Sequence, residues 1–174
     1  KPGEAAIEFV HYQWINPKPT DSVMYAALVL TPGAKEPLFI PLFEEKQLDK
    51  LLQKPGNSPV ETLNTLYNAT TEPSLYGLIW KPLEQALGGI RTIYFSPSGR
   101  LHRLNPGAMA VPTQSPEKER AEVLAERFQL IELGSTRQLV MPSRTKTETP
   151  SALLYGGIQY EPDTMALSKA NKEL

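Results

Sequence analysis

The sequence of 174 residues contains no cysteine. This absence excludes disulfides, thiolate metal sites and catalysis by a cysteine nucleophile within this chain. The chain also has almost no net charge, with 18 basic and 19 acidic residues. It therefore offers no electrostatic reason to expect nucleic acid or an anionic membrane as a partner.

Long hydrophobic runs are missing as well. The apolar runs, Ala26–Leu30 among them, are all far shorter than the ~20 residues needed to cross a bilayer. No basic start followed by an apolar stretch marks a secretory signal, so we predict a cytoplasmic protein. The 17 prolines lie mostly between the apolar segments, which indicates short elements separated by turns.

The first part of the chain predicts three strands. Glu4–Trp14 alternates apolar and polar residues, as a half-buried strand does. Val23–Thr31 is a continuous apolar run, typical of a strand buried on both faces. Leu38–Phe43 predicts a third strand, in which Pro41 favours an edge position. The short turns between these strands indicate an antiparallel meander.

Three helices are predicted next. The first follows Glu44 and ends at Gly56. The second has Ser58 as its N-cap, Pro59 at its first position and an apolar face of Val60, Leu63, Leu66 and Tyr67. The third runs from about Pro73 to Leu87, with a kink or break at Pro82 and a stripe of Leu75, Leu78, Ile79, Leu83, Ala86 and Leu87.

The second part alternates strands and helical segments, which predicts an α/β layer fold. First come a strand over Arg91–Ser96, a type I turn at Ser96–Gly99 and a short strand over Leu101–Leu104. A helix over Glu117–Arg127, a strand over Phe128–Leu133 and a helical turn capped by Ser135 follow. The last expected elements are a loop over Met141–Pro150, a buried strand over Ala152–Tyr155 and a weakly patterned, loosely ordered tail.

Few residues suggest chemistry. His102 could act as a general base for a nucleophilic Ser96 or Ser98, but serine beside proline and glycine is far more often a turn former.

Two ionic sites are equally open to simpler explanations. Glu44, Glu45 and Asp49 could bind a cation, although acidic residues at a helix start also complement its dipole. The turn before Arg100 could cradle a phosphate, but it lacks the glycine-rich strand-to-helix context. Arg100 and Arg103 are expected on a solvated face. Tyr76 and Trp80 are expected in the core. We assign no catalytic, cofactor-binding or metal-binding residue.

The ordered set of segments resembles the N-terminal half of the CHAT domain, a caspase-like peptidase module often found behind tetratricopeptide repeats in bacteria. The resemblance covers roughly the whole chain, and its segments are residues 1–10, Tyr-Ala-Ala-Leu-Val-Leu at 25–30, Leu-Tyr-Gly-Leu-Ile-Trp-Lys-Pro-Leu-Glu at 75–84, Ile-Tyr-Phe-Ser-Pro-Ser-Gly-Arg-Leu-His-Arg-Leu at 93–104, residues 124–137 and Ala-Leu-Leu-Tyr-Gly-Gly-Ile-Gln-Tyr at 152–160. One departure is Asn105-Pro106-Gly107, where the family often has a proline-aromatic pair.

The resemblance implies a caspase/separase-like α/β fold whose catalytic His-Cys dyad follows the region matched here. Neither the His-Gly motif nor the Ser-Ala-Cys motif of that dyad is present, and His102 falls in a stretch that is structural in the family. Residues 1–160 would form the N-terminal half of the domain and residues 161–174 a polar tail or linker.

The resemblance also implies the partners and the activity. Alone, this chain should be inactive; it would pack against the catalytic half of the same domain, in a second chain or a downstream segment. A protein or peptide substrate and an upstream repeat or sensor domain are the other implied partners. The alternative is a catalytically inert α/β interaction module, a pseudo-peptidase.

Overall fold

The computed structural model describes residues 1–53, 58–69, 71–112 and 121–141. They lie in the compact unit Lys1–Met141. Its architecture is mixed α/β, built on one five-stranded sheet with several short helices. The α/β class expected from the alternation of strands and helical segments is therefore confirmed.

The predicted meander forms the first half of the sheet. Strands β1 (Glu4–Ile15), β2 (Pro19–Leu30) and β3 (Leu38–Glu44) pair in sequence, and both pairings are antiparallel. Pro41 lies in β3, which is an edge strand as predicted. A proline fits there because an edge strand can lack one backbone donor without breaking a ladder.

Parallel strands extend the sheet on the other side of β1. Strand β4 (Thr92–Ser96) pairs with β1 over Glu4–Glu8. A separate antiparallel pair, β5 (Ala110–Val111) and β6 (Glu122–Val123), was not predicted. Strand β7 (Gln129–Glu132) is parallel to β4 and completes the order β3-β2-β1-β4-β7.

Two α-helices follow the meander. Helix α1 (Glu45–Leu52) begins where the Glu44 backbone N–H donates to the Gln47 side chain, 2.9 Å away, and it buries Leu48 and Leu51. Helix α2 (Pro59–Tyr67) has the predicted start: the Ser58 hydroxyl accepts the Glu61 backbone N–H at 3.1 Å, and Pro59 lies in the first turn.

The third predicted helix is divided in the region of its proline. Tyr76–Trp80 is a π-helix and Lys81–Leu87, with Pro82 in its first turn, is a 3₁₀-helix. Proline lacks the N–H that an uninterrupted α-helix would need. The predicted stripe faces the core nonetheless, since Leu75, Ile79, Leu83 and Leu87 are buried and Leu78 and Ala86 are half-buried.

The segments around β5–β7 are short turns. Gly99–Arg103 and Pro106–Ala108 are 3₁₀-helices, and Leu124–Arg127 forms helix α3. After β7, Thr136–Leu139 is a 3₁₀-turn in which the Ser135 hydroxyl accepts the Arg137 backbone N–H, as the predicted cap requires.

One face of the sheet, here named the core face, carries the hydrophobic core. Its strand residues are Ala5, Ile7, Phe9, Tyr25, Ala27, Val29, Ile93 and Phe95, and all are buried. They pack with the buried side chains of α1 and of the divided helix, including Trp80 and Tyr76. The prediction that these two aromatic residues belong to the core is confirmed.

Three local predictions are wrong. Leu101–Leu104 is not a strand: Leu101 belongs to a 3₁₀-turn and both leucines are buried, because a spacing of three residues brings side chains to one side of such a turn. Of the described part of the predicted helix, residues 121–127, only Leu124–Arg127 is helical, since Glu122 and Val123 pair with β5. In α2, Val60 and Leu63 are 67% and 55% exposed, so only part of its predicted apolar face packs.

Several predictions fall outside the described residues. These are the Gly56 helix end, residues 117–120 of the predicted helix, residues 142–150 of the loop, the strand over 152–155 and the tail. Among the described residues, no helix is long and apolar enough to cross a membrane.

Candidate functional site

The contact closest to a catalytic arrangement is a serine–histidine pair. Ser98 Oγ lies 2.6 Å from His11 Nδ1. Ser98 follows the parallel strand β4, and His11 lies on β1 beyond its pairing with that strand. The exposed His102 lies on the next turn, whereas the buried Ser96 donates its hydroxyl to the Gly134 carbonyl at 3.4 Å. The structure thus joins Ser98 to a histidine that sequence reasoning did not consider.

Tyr25 lies directly behind this pair. The His11 ring stacks on Tyr25 with centroids 5.7 Å apart, and Tyr25 stacks on Phe43 at 4.8 Å. The Tyr25 hydroxyl donates to the Glu45 carboxylate at 2.9 Å and accepts the Arg100 backbone N–H at 3.0 Å. Burial raises the pKa of Tyr25 above its usual range, and the neighbouring Glu45 carboxylate adds to this.

The acidic residues considered as a cation site, Glu44, Glu45 and Asp49, belong to an ion-pair cluster. The Arg100 guanidinium lies 3.3 Å from Glu45 and 2.8 Å from Asp49. Glu44 accepts the Ser22 hydroxyl at 2.8 Å, and Lys46 lies 3.3 Å from it. The Ser22 hydroxyl and Lys46 hold the pKa of Glu44 below its usual range. These carboxylates already have partners that neutralise them.

The same contacts decide the roles of the two arginines. The prediction of a solvated face is right for Arg103, which is exposed; the Arg100 side chain is 41% exposed but is also ion-paired to α1, which was not predicted. Because its guanidinium is turned to two carboxylates, Arg100 is not presented to a phosphate. In the described parts of the chain, no cluster of three or more His, Cys, Asp or Glu side chains could hold a metal.

Among the described residues, the Ser98–His11 pair lacks the third group that activation of a serine requires. A histidine base is normally oriented by a carboxylate or another acceptor on its second nitrogen. Within residues 1–53, 58–69, 71–112 and 121–141, the only hydrogen-bond partner of the His11 ring is Ser98. We therefore interpret the pair, with Tyr25 and Arg100, as a tie between the hairpin, α1 and the turn that follows β4.

The second candidate feature is the face of the sheet opposite the core. We name this face the outer face. The strand register defines it, because the residues that pair with Ala6 and Glu8 on the neighbouring strands lie on the same side of the sheet as Ala6 and Glu8. Its apolar residues are Ala6, Val10, Tyr12, Met24, Ala26, Leu28, Leu30, Phe39, Tyr94 and Ile131, of which only Ala26 is buried. Leu30 and Phe39 are 43% and 50% exposed.

The turn Thr136–Leu139 contacts the outer face at β1 and β4. The Thr136 backbone N–H donates to Glu8 at 2.8 Å, and its hydroxyl donates to the same carboxylate oxygen. Leu139 lines an open groove of about 460 Å³ together with Ala6, Leu30 and Tyr94. Sequence reasoning missed this face, although the even-numbered apolar residues of β1 and the unbroken run in β2 were the signal for it.

Comparison with known proteins gives no relative: no protein-family model matches the chain, and no curated protein matches it at a significant level. The account of its function rests on the residues and the geometry described above.

Proposed function

We propose that this chain is the non-catalytic, N-terminal half of a caspase-like cysteine endopeptidase of the CHAT type. In this proposal it packs against a catalytic half that carries the His-Cys dyad, and it supports the sheet on which that dyad is held. The order of segments in the sequence suggests the family, and the apolar outer face is the observation that carries the proposal.

The outer face supports the proposal because of the kind of sheet to which it belongs. Strands β1, β4 and β7 run parallel, and sheets with parallel strands are normally covered on both faces. Here the core face is covered by α1 and the divided helix, whereas the outer face presents Leu28, Leu30 and Phe39. A layered caspase-like fold needs helices over that second face, and the catalytic half would supply them.

The absence of cysteine decides the division of labour between the two halves. The nucleophile must come from the partner, whose thiolate, activated by histidine, would attack the peptide carbonyl. Since the Ser98–His11 pair has no orienting group within the described residues, it offers no substitute nucleophile. This chain contributes packing surface and positions the partner.

Capture with matched surface variants tests the proposal. The tagged chain, produced in its natural cells, should retain a cysteine-containing polypeptide and a casein-cleaving activity that iodoacetamide abolishes. Leu30→Glu and Phe39→Glu, on the outer face, should lower both by about tenfold or more, since each would bury an unpaired charge. Val60→Glu is the control, because Val60 is 67% exposed on α2 and belongs to the core side. Equal capture by all three variants would contradict docking at the outer face.

A further inference from the structure

The β1–β2 hairpin reaches beyond the rest of the sheet. β1 pairs with β2 as far as Ile15, but the register with β4 ends at Glu8. β3 pairs with β2 only over Met24–Val29. The distal part, here named the arm and comprising residues 11–15 and 19–23, is therefore two strands wide among the described strands.

Among the described residues, no strand pairs with β1 along the arm on the side of β4, although the Ser98 side chain contacts the His11 ring there. The Gly3 carbonyl accepts the Arg91 and Thr92 backbone N–H groups, at 2.8 and 3.1 Å, on the side of β4. Backbone groups alternate sides along a strand, so those of every second residue face that way. Beyond the end of β4 these are the N–H and C=O groups of His11, Gln13 and Ile15, and within the described residues they pair with no neighbouring strand.

In the part of the chain that the structure describes, this edge lacks the usual protection against strand addition. Natural edges are blunted by proline, by charged side chains or by coverage. The outer strand β3 carries Pro41, and the arm's other strand carries Pro19 and Asp21. β1 from Phe9 to Ile15 has neither proline nor an acidic, lysine or arginine residue, and Trp14 and Ile15 are 46% and 62% exposed.

We propose that the edge of β1 from His11 to Ile15 binds an extended peptide segment of a partner protein by β-strand addition. Backbone hydrogen bonds to His11, Gln13 and Ile15 hold the segment in line with β4. Exposed Trp14 and Ile15 favour a segment with apolar or aromatic residues at alternate positions. This inference does not depend on the proposed peptidase function, because it uses a different edge and different residues.

A peptide fits this edge better than a second copy of the chain. Two arms pairing edge to edge would share only the stretch 11–15, about 17 Å of strand at ~3.4 Å per residue. A stable dimer needs about 800 Å² buried on each partner, far more than so short a ladder supplies. A flexible peptide needs only the backbone N–H and C=O groups of His11, Gln13 and Ile15 and the side chains beside them in order to bind.

Amide hydrogen exchange tests the proposal with short capped peptides in which threonine alternates with valine, leucine or phenylalanine. In the free protein the amides of His11, Gln13 and Ile15 should exchange fast, because they face away from β2. At least one of the peptides should slow their exchange about tenfold, a factor equivalent to about 1.4 kcal/mol. Failure of every peptide to slow it, even at millimolar concentration, would overturn the proposal.

Gln13→Pro and Gln13→Ala form a matched pair. Both lose the Gln13 side-chain hydrogen bond to the Thr20 carbonyl, which measures 2.8 Å. Only proline removes the backbone N–H at position 13, which faces away from β2. The hydrogen bonds between β1 and β2 therefore keep all their donors. Gln13→Ala should keep peptide binding and Gln13→Pro should lose it. Equal peptide binding by the two variants would refute the proposal. So would slow amide exchange in the free protein that depends on protein concentration, because it would show that the arms pair with each other.

Discussion

Gly99 and Tyr25 approach each other so closely that no larger residue fits at position 99. A Cβ placed on Gly99 would lie 2.4 Å from the Tyr25 hydroxyl oxygen, and Gly99 has a φ of +55°. Only glycine adopts such a φ without cost, and only glycine leaves room for the phenol. This contact lets the turn after β4 reach the hairpin, where Ser98 meets His11 and the Arg100 backbone meets Tyr25.

We predict that Gly99→Ala destabilises the protein more than Gly3→Ala. Gly3 has a φ of +77° but nothing within 4 Å of the added Cβ, so its substitution costs only the backbone term of about 1 kcal/mol. Gly99→Ala adds a clash with a buried ring, typically ~1–3 kcal/mol. Urea unfolding of the two variants measures the difference. Equal losses would show that Tyr25 moves aside freely.

Tyr25→Phe should lower the free energy of unfolding by about 1–2 kcal/mol, because it leaves the Arg100 backbone N–H without its acceptor. Tyr12→Phe is the control, since Tyr12 is half-buried on the outer face and is not part of this network. Urea unfolding at neutral pH compares the two, and an equal effect of both would count against a specific role for the Tyr25 hydroxyl.

The same tyrosine makes stability depend on pH at the alkaline end. Its pKa in the folded state is raised by burial above the value of about 10 for an unfolded chain. The folded state therefore holds the proton of Tyr25 more tightly than the unfolded chain does. The resulting contribution of Tyr25 to the free energy of unfolding is complete below about pH 10 and is lost as the pH rises through the folded pKa. Unfolding free energies of wild type and Tyr25→Phe should converge above pH 10. A gap that stays constant with pH would contradict this.

Glu8 should hold the turn Thr136–Leu139 on the outer face. Its carboxylate accepts both the backbone N–H and the hydroxyl of Thr136. Glu8→Ala should cost about 1–3 kcal/mol and speed amide exchange at Thr136, whereas Glu8→Gln, which keeps one carbonyl acceptor, should cost less. Glu4→Ala is the control. The ion pair of Glu4 with the N-terminal ammonium should contribute little to stability, because the ammonium group is largely exposed to solvent. Unchanged exchange at Thr136 in Glu8→Ala would refute the role.

Local patterns predicted the sheet well. The alternation in β1 and the proline in β3 reflect burial of a side chain or loss of a donor within one segment. The apolar run in β2 predicted the strand, but its burial on both faces is wrong, since Leu28 is only half-buried and Leu30 is exposed on the outer face. The break in the third helix was predictable for the same reason, since Pro82 acts on its own turn.

The contacts around Ser98 could not be predicted, because they join segments that lie far apart in the sequence. A local search pairs Ser98 with His102, four positions away, whereas its partner His11 is 87 residues earlier. Arg100 resembled a solvated side chain because nothing nearby in sequence indicates that α1 lies opposite it. The exposure of Val60 and Leu63 escaped prediction likewise, since periodicity identifies an apolar face but not what covers it.

The measurement that most directly tests the proposed function is the intact mass of every polypeptide in the native purified sample after denaturation. The account predicts a cysteine-containing polypeptide, either as a second species beside this chain of 19.4 kDa or as one longer species that includes this sequence and a downstream catalytic segment. Iodoacetamide should alkylate the cysteine-containing species and abolish peptidase activity. A single species of 19.4 kDa, with no cysteine-bearing companion, would contradict the account and leave an inert interaction module in its place.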